Sequence, residues 1–511
     1  MKFEHIAFSY LLCGFAQTLA GPCRCCACCG AAFGDAARAP PKIAAASAAA
    51  QSVAKTRFTK GDDSASRWPF TSLYRQRERG RACREFREVS RQVTAAVLQL
   101  AAHERAEFGQ RWPLICTRIR EAATAGANLI VLPEGTAPAY VIGKEPVDGE
   151  LLQAALDDVQ SLARSTKAVI VYGSVRLTTH AQYNSAYVID SDGSIAGHAD
   201  KCFLWHFDRH WFAAGSVAAP IATAVGNLGV LICADGRIPT ISRTLVDRGA
   251  EMLVMPTAWV TSGRHPEELE NVQADLLAAV RARENGVPFI AANKVGIEHQ
   301  CVAYCGKSQI ITADGSIVAI ASQHSEETLA YSITVGDTHV TRAPVPSPPP
   351  APQRSDDLRI AITADDVDMR DIRTIIGADE VISCDTRANA PICDAAAAAI
   401  VTDELVSDPG GLAPFRLAGY QLIVWQSALN DERWMQTLAR ARALELRLFV
   451  VVIKRGRGAF AVDPDGTIIC GTFGRLRVAN FAFSPARTRQ TMVAPGTDIV
   501  AGLESASLAT A

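Results

Sequence analysis

The sequence predicts an α/β protein, a sandwich of sheets and helices followed by a shortened second α/β region. Three observations carry this reading. Short apolar runs alternate with amphipathic stretches, the pattern of strands and helices packed in layers. The segment "APVPSPPPAPQ" (343–353) breaks the chain with a composition that favours extended backbone over packing. Beyond it, stretches of the first part reappear in order.

The chain has 511 residues, 49% of them hydrophobic and 20% charged, with a formal net charge of −2. That is ample for two or three ordinary globular domains. So even a balance supplies no electrostatic attraction to nucleic acid or to an anionic membrane, which leaves a small-molecule substrate as the expectation. Six of the 15 cysteines (Cys13, Cys23, Cys25, Cys26, Cys28 and Cys29) crowd the first thirty positions. The others are scattered singly, with no disulfide framework or zinc spacing, as in a reducing compartment. A cytoplasmic protein is expected, although the apolar stretch after Lys2 leaves export open. Three readings of this N-terminus stand side by side: a mis-assigned start, an export signal, and a metal-binding cysteine tract. Residues 1–90 are expected to be a disordered extension, rich in Ala, Ser and Arg without periodicity.

Order is expected from Val93. "VTAAVLQLA" reads as a strand and "PLICTRIREAATAG" as an amphipathic helix with Leu114, Ile115, Ile119 and Ala122 on one face, stopped at Gly126. "NLIVLP" is the next strand and ends at Glu134. Further strands are "AVIVYGSV", "NSAYVIDSDGSIAG" with a turn at Asp192-Gly193, "GVLIC", "MLVMP", "FIAANK" and "SQIITADGSIVAIA". Helices are expected over Pro239 to Arg248 and about Leu269 to Asn285. The boundaries this implies are 91–340 for the first domain, 341–356 for the linker and 357–511 for the second region.

In that second region "GADEVISCD" matches "GANLIVLPE" without a gap, "FRLAGYQLIVW" resembles "VDRGAEMLVMP", and "VDPDGTIICGT" resembles "ITADGSIVAIA". It reads as a degenerate, shortened copy. Asp385 then stands where the first copy has Glu134, and Asp403 where it has Cys233. No lysine motif lies between them, so no active site is expected there. Without the missing middle the copy is not expected to close a complete sandwich; its apolar strands still need burial, so it is expected to dock on the first domain or on a partner chain, with a free-standing domain tethered by the linker as the alternative.

Two strand ends in the first domain carry reactive groups: Glu134 in "LPEG" and Cys233 in "LICADGRIP". Between them Lys201 precedes an aromatic-rich turn, "HADKCFLWHFDRHWFAAG". A carboxylate beside a thiol can act as base to a nucleophile. Taken singly, a cysteine at a strand end is usually a small core residue and a lysine usually a solvated charge. His206 and His210, at i, i+4, could face a metal from one helix, but they lack a third ligand and read as pocket wall.

"LPEG", "DKCFLW" and "LICADGRIP", in this order, resemble the Glu, Lys and Cys motifs of the nitrilase superfamily of carbon-nitrogen hydrolases. "QYNSAYVIDSDGSIAGHADK", "RARENGVPFIAANKVG" and "CGKSQIITADGSIV" agree with it, so the resemblance spans about Val93 to Val335. It implies a four-layer α-β-β-α sandwich and no cofactor or metal. It also implies Cys233 as nucleophile, Glu134 as general base and Lys201 as the cation facing the oxyanion, with the Ala234 N–H as a second donor. Asp208 stands where many members carry a second glutamate, and Thr240 replaces a glutamate often found after the proline of the cysteine motif. Tyr140, Trp205, His206 and Trp259 are the candidate substrate-lining residues.

"CADGR" is closer to the amidase and carbamoylase branches than to true nitrilases. The expected reaction is hydrolysis of a linear C–N bond in an amide, with carbamoyl compounds and nitriles open, by a homo-oligomer. The competing reading is a catalytically silent binding or regulatory module, motivated by Asp208 and by the degenerate copy. Acyl transfer of the lipoprotein N-acyltransferase kind would need membrane helices that nothing after Gly30 supplies.

Overall fold

The computed structural model describes residues 90–508 except 218, 262–268, 337–341, 353, 366–368, 386–389, 394–397 and 475. The expectations for the N-terminal extension and its cysteines lie outside the described residues. Those described belong to one compact unit.

The first half opens with β1 (Arg91–Ala101), α1 (Phe108–Thr124), β2 (Leu129–Val131), α2 (Gly149–Thr166), β3 (Val169–Leu177), β4 (Gln182–Ile189) and β5 (Ile195–Asp200). After a single helical turn, α3 (Asp208–Trp211), come β6 (Ile221–Thr223), β7 (Gly226–Val230), α4 (Pro239–Asp247), β8 (Met252–Pro256), α5 (Ala278–Asn285) and β9 (Phe289–Ala292). It closes with β10 (Lys294–Glu298), β11 (Val302–Cys305), β12 (Gln309–Ile311), β13 (Ile317–Ile320) and β14 (Glu327–Val335). One eight-stranded sheet runs β11-β10-β1-β2-β3-β4-β5 with β14 antiparallel to β1, and a six-stranded sheet runs β13-β12-β9-β8-β7-β6.

Side chains alternate across a strand, and β1 shows where the layers lie. Val93, Ala95 and Val97 pack with β7 and β8 of the other sheet, while Ala96, Leu98 and Leu100 pack under α1 and α2. The opposite face of the second sheet is covered by α4 and α5, through Ile241, Leu245 and Val280. This is a four-layer α-β-β-α sandwich.

Several elements differ from the sequence reading. Helix α1 starts at Phe108, before Pro113, so its buried stripe is Phe108, Trp112, Ile115, Cys116, Ile119 and Ala122. Leu114 falls off that stripe and is 55% exposed. Helix α2 is an element beyond those expected from the sequence. Asp148 caps it by accepting from the N–H groups of Glu150 and Leu151, and Leu152, Leu156, Val159 and Leu162 form its buried face. "GVLIC" is strand only as far as Val230, and Cys233 begins a short 3₁₀ turn, Cys233–Arg237.

The second half contains β15 (Leu358–Ile362), α6 (Met369–Ile376), β16 (Glu380–Asp385), β17 (Ala390–Cys393), β18 (Ala398–Val401), α7 (Asp403–Ser407), α8 (Ala413–Leu417), β19 (Leu422–Gln426), α9 (Glu432–Leu446) and β20 (Phe449–Lys454). It ends with β21 (Gly458–Val462), β22 (Ile468–Gly471), β23 (Ala479–Phe483), α10 (Pro485–Thr488), the small pair β24 (Met492–Ala494) and β25 (Thr497–Asp498), and α11 (Ile499–Leu508). A four-stranded sheet, β17-β16-β15-β23, shares a core with a five-stranded sheet, β18-β19-β20-β21-β22. The two sheets of this half pack around one core, in which Ile360 and Ile382 of the first meet Val424 and Val451 of the second. The proline-rich spacer is pinned at both ends: the Ala343 N–H donates to Asp408 and the Ala351 N–H to the Ala418 carbonyl, each at 2.8 Å.

Candidate active site

Glu134 lies just past β2, in a turn pressed against β3. A Cβ on Gly173 would sit 2.5 Å from the Glu134 Cα, so only glycine permits this approach. The Glu134 N–H donates to the Thr257 carbonyl at 3.3 Å, tying the turn to the end of β8 in the other sheet. The glutamate is fully buried, and burial raises its pKa, with Asp208 adding to the rise and Lys201 opposing it.

Lys201 follows β5, and its N–H donates to the Asn184 carbonyl at 2.8 Å. Its ammonium is enclosed and donates to Glu134 Oε1 at 2.7 Å and to Asp208 Oδ2 at 2.5 Å. Burial pulls its pKa down, but the Asp208 and Glu134 carboxylates outweigh that and hold it well above the ordinary lysine value. Asn184 Nδ2 also donates to Glu134 Oε1, at 2.7 Å. Glu134 Oε2 is left buried and without a partner among the described residues. One oxygen of the carboxylate is thus fixed and the other is free to take a proton.

Asp208 reaches Lys201 despite its shorter side chain because the chain turns back before α3. Its Oδ2 also accepts the Trp205 N–H at 3.1 Å, and Tyr140 Oη donates to Oδ1 at 3.4 Å. His206 lies outside that single-turn helix and His210 is exposed, so the two do not share a helical face. Among the described residues no group of three or more His, Cys, Asp or Glu is arranged to hold a metal ion.

Cys233 adopts φ +46°, the left-handed region that a non-glycine residue enters at a cost of about 1–3 kcal/mol. Such strain is found where a side chain has to be presented in one direction. The thiol is pushed up to about 12 by burial and by Glu134, while Lys201, Thr257 and the Ala258 N–H pull the other way. It is therefore held as a thiol at neutral pH and needs a base. The Ala234 N–H, in the first turn of the 3₁₀ segment, has no partner within that segment.

Sequence reasoning missed Asn184 and Asp235. Asp235 accepts from the N–H groups of Cys202 (3.0 Å), Phe203 (2.7 Å) and Ile232 (2.9 Å), so one carboxylate joins the lysine turn to the cysteine turn. Both residues stand inside the quoted motifs, "QYNSAY" and "CADG", but nothing in the sequence says which backbone groups they meet. Of the lining candidates, Trp205 stacks on the Arg237 guanidinium at 4.5 Å and Tyr140 lies 5.9 Å from the Lys201 ammonium. The buried Trp259 Nε1 has no partner among the described residues, and His206 packs edge-on against Phe207. Thr240 lies on α4 with its Oγ1 buried and unpaired among the described residues.

Residues 94–343 match the family model of carbon-nitrogen hydrolases. A protein described as a hydrolase in the pqqF 5' region of Pseudomonas protegens is 34% identical over 202 residues, which are 38% of this chain and 68% of that protein. A nitrilase of Pyrococcus abyssi is 30% identical over 219 residues, 41% of this chain and 78% of the other. The chain belongs to the nitrilase superfamily of carbon-nitrogen hydrolases. The crystal structure of a carbon-nitrogen hydrolase from Helicobacter pylori is 27% identical, with a TM-score of 0.43, over 48% of this chain and 89% of that one. The superfamily match makes the protein a hydrolase. Among the described residues no helix is long and apolar enough to cross a membrane.

Proposed function

We propose that this carbon-nitrogen hydrolase cleaves a small amide, with carbamoyl compounds and nitriles as the neighbouring substrate classes, through a thioester on Cys233. The observation that carries the reading is the enclosed Lys201 ammonium, gripped by Glu134 and Asp208 and close enough for its charge to act on the strained, buried Cys233. In the first step Glu134 takes the thiol proton as sulfur bonds to the amide carbon. Negative charge moves onto the amide oxygen, where Lys201 and the Ala234 N–H stabilise it. A well-placed donor of this kind contributes about 3–4 kcal/mol.

Collapse breaks the C–N bond, and Glu134 returns the proton to the departing nitrogen, releasing ammonia or an amine. Water then attacks the thioester, giving its proton to Glu134. The C–S bond breaks, the acid leaves, and the thiol is restored. The silent-module alternative rests on Asp208 as a shortened glutamate and on the degenerate second copy; the 2.5 Å contact between Asp208 and Lys201 weighs against the first of these.

Ammonia release from a panel of short amides, N-carbamoyl amines and nitriles tests the proposal. Glu134→Gln and Lys201→Met should each lower the active reaction ~100-fold or more. Full activity in either variant would refute the assignment.

A further inference from the structure

The two halves meet through α5 and α9, and their contacts are reciprocal. Arg281 and Glu284 on α5 are paired with each other, as are Arg442 and Glu445 on α9. Across the junction Arg281 reaches Glu445, and Arg442 reaches Glu284 at 2.7 Å. Even the remaining nitrogens correspond: Arg281 Nε donates to the Gly236 carbonyl at 2.9 Å, and Arg442 Nε to the Val406 carbonyl at 2.8 Å. When residue i of one surface meets residue j of the other, and j meets i, the interface has the form of a two-fold dimer.

Strand order follows the same correspondence. In the first half β7, β8 and β9 are parallel and β12 and β13 follow antiparallel; in the second, β18, β19 and β20 are parallel and β21 and β22 follow antiparallel. β1 has β2 parallel on one side and β14 antiparallel on the other, as β15 has β16 and β23. Gly236 and Val406 lie three residues after Cys233 and Asp403, the positions matched from sequence. The Asp403 carboxylate is satisfied by Trp425 Nε1 at 2.8 Å and by the Ala428 N–H at 2.9 Å. No nucleophile stands there.

The second half also reaches the first half's site. Thr497 Oγ1, on β25 and fully buried, accepts the His206 N–H at 2.7 Å. His206 holds φ +46° in the turn between Lys201 and Asp208, a conformation that needs outside support. On α11, a Cβ at Gly502 would lie 2.5 Å from the Phe203 ring and 2.9 Å from Ile238 Cδ1. One element therefore touches both the lysine turn and the residue that ends the cysteine turn.

We propose that the second half is a catalytically empty internal counterpart of the first, docked about a local two-fold where a second copy would sit, and that its Thr497 is a positioning residue. It holds the turn that carries Asp208 and thereby the Lys201 ammonium. The inference rests on the proposed roles of Lys201 and Cys233.

The test uses the full chain and iodoacetamide, which alkylates thiols without any knowledge of the natural substrate. The rate at each cysteine is read by peptide mass spectrometry across a range of pH. Thr497→Val, which keeps the shape and removes the acceptor, should slow alkylation of Cys233 about tenfold and move its pH profile upward, as a thiolate further from the ammonium requires. Thr497→Ser should restore the wild-type profile, and the exposed Cys301 should react alike in all variants. Gly502→Ala, crowding Phe203, should act in the same direction as Thr497→Val. A purely structural role would instead raise the reaction of the buried Cys116 and Cys305 together with Cys233. An unchanged Cys233 profile in Thr497→Val, or equal damage in Thr497→Ser, overturns the proposal. A Lys201→Met arm separates the two failures. If Lys201→Met shifts the profile and Thr497→Val does not, only the positioning role fails; if neither does, the proposed site itself is wrong.

Discussion

Replacing Asp208 with asparagine removes one of the two charges that hold Lys201. At an effective dielectric near 20, unit charges about 4 Å apart attract by about 4 kcal/mol, which sets the scale of the carboxylate's gross attraction before desolvation is counted. Asparagine can still accept from the ammonium and from the Trp205 N–H, so the net loss should be nearer that of a charge-assisted hydrogen bond, about 1.5–3 kcal/mol. With about 1.4 kcal/mol to each decade, kcat/KM should fall about 10- to 100-fold. The pH profile carries a sharper sign. Glu134 is held above its usual range by burial and, next in the same direction, by Asp208. As pH falls through that raised value the base is protonated and activity is lost. Removing the Asp208 charge lowers the Glu134 pKa, so the acid limb should move to lower pH even as the rate falls. Initial rates of ammonia release from pH 4 to 9 provide the assay. An acid limb that stays in place, or moves upward, would refute the assignment of that limb to Glu134.

Arg281→Met and Arg442→Met should each destabilise the fold by about 3–5 kcal/mol, because each strands buried carboxylates. Chemical denaturation should give similar costs for the two, and replacing all four charged residues with apolar ones should cost less than the two single changes added together. Asp235→Asn sets an amide N–H₂ among three backbone donors, and thermal unfolding should report a loss of about 1–3 kcal/mol. A stability within error of wild type would mean that the two active-site turns are not joined through this side chain.

The first half was legible wherever apolar runs were long and bounded by Gly or Pro. "MLVMP" coincides with β8, and the Asp192-Gly193 turn separates β4 from β5. The ends of helices were less legible. The expected helical segment begins at Pro113, yet α1 begins five residues earlier, which turns Leu114 to solvent. The three chemical groups stood out through the order of their motifs, "LPEG", "DKCFLW" and "LICADGRIP", which resemble those of the family; taken singly, the cysteine reads as core and the lysine as a solvated charge. Their second partners did not: Asn184 meets Glu134 across 50 positions, Asp235 meets the N–H groups of Phe203 and Cys202 across 32 and 33, and Thr497 meets His206 across 291. The left-handed backbone of Cys233 has no sequence signal, since cysteine is not a residue that favours that region.

In the proposed reaction all chemistry passes through a single cysteine. Incubating the protein with an active amide, quenching in acid within milliseconds to seconds and digesting it places any acyl adduct by mass spectrometry. A substrate-derived acyl group should appear on the peptide carrying Cys233 and on no other, with both adduct and ammonia release abolished in Cys233→Ala. Sustained turnover in Cys233→Ala, or an adduct on any other residue, would contradict it.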